Sequence, residues 1–109
     1  MTLSEIKNIL GLTEITGKAD EREWNGVYAG DLLSRAMSHV KADNLWVTIM
    51  SNTNVIAVAS LTEAAAVILA EGVELIPEAV SAAEENGITV LSSDKTVYEL
   101  CAKIADAVK

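Results

Sequence analysis

The chain has 109 residues, a net charge of −8 and one cysteine; half of it is hydrophobic, yet only Trp24, Trp46, Tyr28 and Tyr98 are aromatic. This length fits one domain with an aliphatic core that needs no disulfide or metal. The acidic balance argues against binding a nucleic-acid backbone or an anionic membrane surface.

Cys101 has no internal partner, which suits a reducing, cytoplasmic setting. The first residues, Met1 to Glu5, lack the basic and apolar regions of a signal peptide. The longest apolar run near the middle, Ala64 to Ala70, is too short to span a bilayer. The high apolar content of so small a domain leaves surface for a second copy or a partner to cover.

Taken in order, Thr2 and Glu5 form a capping box ahead of a helix from about Leu3 to Leu10, and Gly11 stops it. Leu12 to Thr16 alternates as a strand would. Gly17 to Arg22 is a charged turn, and a strand follows from about Gly26 to Gly30. Asp31 is placed to cap a helix whose apolar stripe is Leu32, Leu33, Ala36, Met37 and Val40. Leu45 to Met50 reads as a strand buried on both faces.

Asn52-Thr53-Asn54 reads as a turn, and Val55 to Ala59 as a further apolar strand. Ser60 with Glu63 makes a second capping box for a helix over Ala64 to Ala70, ended by Gly72. Val73 to Ile76 is a short strand, and Pro77 opens the next helix, where its missing N–H costs nothing. Ile88 to Leu91 is a strand. Thr96 and Glu99 cap a last amphipathic helix carrying Val97, Leu100, Cys101, Ile104, Ala105 and Val108. The alternation predicts an α/β layered sandwich with a mainly parallel sheet.

Motifs exclude more than they assign. No P-loop and no Gly-x-Gly-x-x-Gly string occurs, so neither nucleotide fingerprint is present. One His and one Cys do not make a zinc site, and no metal or cofactor is expected. His39 suits the last carbonyls of its helix. A Cys–His nucleophile pair requires Cys101 and His39 to meet in space.

Small polar residues recur where strands are predicted to end. Gly30, Asp31, Ser51, Asn52, Asn54, Ser60, Ser92 and Ser93 form the candidate ligand crevice, since open α/β sheets bind at the carboxyl ends of strands. Each also has a structural reading: Asp31 and Ser60 as caps, the others as turn formers. Ser92 and Ser93 are equally suited to holding an anion at a helix start.

Tyr28 to Ser34, Leu45 to Thr48, Asn54 to Ala59, and Ala79 to Ser92 together resemble the DRTGG-domain family, across about Val27 to Ala107. The Asp-Arg-Thr-Gly-Gly string that names that family is missing here. That family looks like the non-catalytic N-terminal domain of HPr kinase/phosphorylase. The resemblance implies a regulatory, homodimeric domain that binds a small ligand (a nucleotide or other anion) or a protein partner without doing chemistry. A purely structural homodimerisation module is the alternative, and a phosphotransferase is a third reading that needs a nucleotide site.

Overall fold

A computed structural model describes residues 1–109. The elements run α1 (Leu3–Leu10), β1 (Thr13–Thr16), β2 (Val27–Ala29), α2 (Leu33–His39), β3 (Leu45–Thr48), α3 (Thr53–Thr62), β4 (Ala66–Leu69), α4 (Pro77–Asn86), β5 (Val90–Ser92) and α5 (Val97–Ala107). One five-stranded sheet has the order β1-β5-β4-β3-β2. The strands β2 to β5 are parallel, and β1 lies antiparallel on β5 with a bulge between Glu14 and Thr16.

Alternation along the strands divides the core in two. Leu45, Val47, Ala66, Ile68 and Leu91 face α1 and α5. Trp46, Val67, Leu69 and Val90 face α2, α3 and α4. The sheet is therefore covered on both sides, which is why β3 and β4 are apolar at nearly every position and buried throughout. No helix is long and apolar enough to cross a membrane.

The capping boxes at Thr2–Glu5 and Thr96–Glu99 form as the sequence predicts, with reciprocal hydrogen bonds of 3.0 and 3.1 Å in each. Pro77 opens α4. The middle of the chain corrects three expectations. Val55 to Ala59 is not a strand but part of α3: Val55, Ile56, Val58 and Ala59 are buried at helical spacing, and the Asn52 side chain caps the helix by accepting from the Asn54 N–H. Ala64 to Ala70 is not a helix but contains the central strand β4. Val73 to Ile76 pairs with no strand and forms the loop into α4, tied down by the Ile76 N–H donating to the Ser51 carbonyl.

The second capping box falls with them. Ser60 is an exposed residue within α3, and Glu63 is the left-handed C-cap of that helix, with φ of 59°. Leu32, not Asp31, is the N-cap of α2. Gly72 does not end a helix; it follows β4.

Candidate functional site

The carboxyl ends of the parallel strands lie along one edge of the sheet. Gly30 and Asp31 follow β2, Ser51 and Asn52 follow β3 with Asn54 in the first turn of α3, and Ser92 and Ser93 end β5. Ser60 lies near the far end of α3, toward the amino ends of the strands, and does not join this group.

The group is itself split. Asp31, Ser51 and Asn52 belong to the β2–β3 end, and Ser92 and Ser93 to β5, with β4 between them. At the β2–β3 end the polar groups are largely occupied. Asp31 Oδ1 accepts from Thr48 Oγ1 at 2.8 Å and from the Ile49 N–H at 3.0 Å, binding the β2 turn to the end of β3. The Gly30 carbonyl accepts from the Trp46 indole at 3.0 Å. Asn52 is the α3 cap, and Ser51 receives the Ile76 N–H. None of these residues lines a cavity.

The β4–β5 end is different. After β4 the chain turns to α4 on one face; after β5 it passes to α5 on the other. Diverging loops at adjacent parallel strands open a crevice. A cavity of about 420 Å³ lies there, lined by Thr13, Gly72, Glu74, Ser92, Ser93 and Asp94 among others. The ladder continues beneath it: the Gly72 N–H donates to the Ser93 carbonyl at 2.9 Å, and the Glu71 N–H to that of Lys95 at 2.8 Å. Glu71 and Gly72 both have positive φ, 60° and 69°, which turns the chain away sharply. A Cβ on Gly72 would lie 3.1 Å from Asp94 Oδ1, so glycine suits both the backbone conformation and the space.

The lining holds two carboxylates, Glu74 and Asp94, and no basic residue. It presents acceptors and hydroxyls, an environment that opposes a bare phosphate. Ser92 and Ser93 were legible as polar residues at a strand end. Thr13, Gly72 and Glu74 were not, because their approach depends on the true course of β4 and on β1 returning beside β5.

A second cavity, of about 480 Å³, is apolar and lies between β2 and α5. Cys101 lines it, half-buried, with burial pushing its thiol pKa up. A raised thiol is a poor nucleophile. His39 stands across the sheet on α2, its ring stacked on Tyr28 with centroids 5.9 Å apart and Nδ1 2.9 Å from the Arg35 carbonyl. The sheet thus separates the two residues, and they form no catalytic pair.

The chain matches the DRTGG domain over residues 5–107. No curated protein matches it. Among solved structures it is similar to the CBS and DRTGG domains of the regulatory region of Clostridium perfringens pyrophosphatase, a structure complexed with the activator diadenosine tetraphosphate. The TM-score is 0.79 at 13% identity, with 94% of this chain and 45% of that one covered. At that identity the likeness is one of fold, and the chain spans less than half of the neighbour. With the family match covering nearly its whole length, the chain belongs to the DRTGG-domain family.

Proposed function

We propose that this DRTGG domain is a non-catalytic, cytoplasmic regulatory module that binds a small ligand at the carboxyl ends of β4 and β5. The observation that carries the reading is the polar cavity of about 420 Å³ where the two loops diverge. Its size falls within the roughly 300–1,000 Å³ of small-molecule sites. A regulatory region containing the same fold is complexed with a dinucleotide activator. The acidic lining here favours the sugar or base of such a ligand, with hydroxyl and amino donors, over its phosphates.

A thermal-shift screen with adenosine, adenine nucleotides, diadenosine tetraphosphate and simple sugars tests this, since a ligand of the native state raises the melting temperature. Thr13 is exposed on β1 and lines the cavity, so Thr13→Tyr is expected to fill the space from a tolerant position. The expected result is a ligand whose shift disappears in Thr13→Tyr and whose affinity falls roughly tenfold in Ser92→Ala, the worth of about one hydrogen bond. A shift that survives Thr13→Tyr, or no shift from any compound, removes the cavity as the site.

A second reading, an association module, is favoured by the apolar groove beside the open edge of β2.

A further inference from the structure

We infer that the apolar cavity between β2 and α5 is a second ligand site, for a small uncharged molecule that is mainly hydrocarbon and carries one hydrogen-bond acceptor. It shares no residue with the polar cavity at the ends of β4 and β5, so it stands apart from the site proposed above.

The sheet shows how the cavity arises. Val27 and Ala29 are in register with Leu45 and Val47, and so share the face of the sheet that α5 covers. Leu45 and Val47 are 0% exposed there, whereas Val27, one strand further out, is 38% exposed. The α5 helix thus shields β3 fully and β2 only in part, and the gap is the cavity of about 480 Å³. Its walls are Val27 and Ala29 on the strand, Ile104, Ala105 and Val108 at the end of α5, and Trp24 ahead of β2.

The chemistry of the walls selects the ligand. The volume lies within the roughly 300–1,000 Å³ of small-molecule sites, which are mostly apolar with a few placed polar groups. No lining side chain is charged, and burying an unpaired charge is costly, so the ligand is neutral. The one polar demand comes from Trp24. It is 8% exposed, and its Nε1 is the one buried side-chain polar atom without a partner. Trp46, the other tryptophan, donates to the Gly30 carbonyl at 3.0 Å. Buried indole N–H groups ordinarily find an acceptor, because an unpaired donor has given up its bond to water for nothing. A molecule seated against the Trp24 ring, with a small tilt of the indole, supplies that acceptor where solvent does not reach. A ketone, ester or ether on an aromatic ring or short aliphatic chain meets both requirements.

Acetophenone and isopropylbenzene test the proposal, since their shapes are nearly the same and only acetophenone has an acceptor. Each is titrated into isotope-labelled chain and followed by NMR, with Trp24→Phe assigning the two indole signals. Both probes are expected to shift the Val27 and Val108 amide signals, and only acetophenone to move the Trp24 indole signal downfield. Trp24→Phe is expected to weaken acetophenone about tenfold, the worth of about one hydrogen bond, and to leave isopropylbenzene unchanged. Ala105→Leu, at an exposed position of α5, is expected to abolish binding of both probes with the spectrum otherwise preserved, so the test survives a Trp24 variant that fails to fold. No shift at these residues up to the solubility of the probes, or shifts that persist in Ala105→Leu, overturns the site. An indole signal that answers both probes alike, or an equal loss of both in Trp24→Phe, overturns recognition of the acceptor. Val27 and Val108 signals that move with protein concentration and not with either probe show a second copy in the groove, which upholds the association reading and overturns this one.

Discussion

Glu99 shows how much a single side chain does at a helix start. Its carboxylate accepts the Thr96 N–H, and its own N–H donates to Thr96 Oγ1. The Thr96 backbone bond, with the side-chain bond beside it, holds the Glu99 pKa below the ordinary carboxylate value, and Glu5 behaves likewise against Thr2. A lowered folded-state pKa stabilises above the unfolded pKa, and that contribution disappears as pH falls through the folded value. Glu99→Gln should lower the urea midpoint at neutral pH, and the gap from wild type should narrow once the pH is well below about 4. A gap of constant size would mean that the charge of Glu99 contributes nothing beyond its hydrogen bonds. Asp31 carries the opposite lesson. Leu32 takes the helix cap that the sequence offers to Asp31, and the Asp31 carboxylate joins β2 to β3.

At the scale of the element, the exchange of α3 and β4 is the main point. Both segments are short and apolar, and periodicity alone does not separate a buried helix from a buried strand. The β-branched Val55, Ile56 and Val58 favoured extension, and the alanines of 64–66 favoured a helix. Tertiary placement overrode both. Between helices on either face, β4 accepts small and branched residues alike, and Ala66 is 1% exposed. Asn52 is the local sign of a helix start, but the same residue type serves a turn equally well. Capped helices α1 and α5, the strand β3, Pro77 at α4 and the parallel layered class were all legible, because caps and long runs act locally. The cavity was only half legible, since it needs both the correct β4 and a contact between the two ends of the chain. Ala66→Leu should cost about 1–3 kcal/mol by overpacking under α1 and α5. Chemical denaturation measures this. A loss of a few tenths would place position 66 outside the close-packed layer.

Across the whole molecule, β2, β3, β4 and β5 are neighbours in the same order as in the sequence, each joined to the next by one helix. The exception is β1, which reaches across the chain to β5; Thr16 Oγ1 donates to the Ile88 carbonyl at 2.8 Å over a separation of 72 residues. Closing so long a loop is entropically slower than stacking successive β-α-β units. The β2–β5 unit should therefore assemble first, with α1 and β1 docking late and leaving early. Thr16→Ala should lose about 1 kcal/mol, and stopped-flow chevrons should place that loss in faster unfolding, with the refolding rate nearly unchanged. An equal slowing of refolding would put β1 in the nucleus. Because β1 also supplies Thr13 to the wall of the polar cavity, a ligand bound there would hold down the last segment to fold, lengthening the lifetime of the native state without hastening its formation.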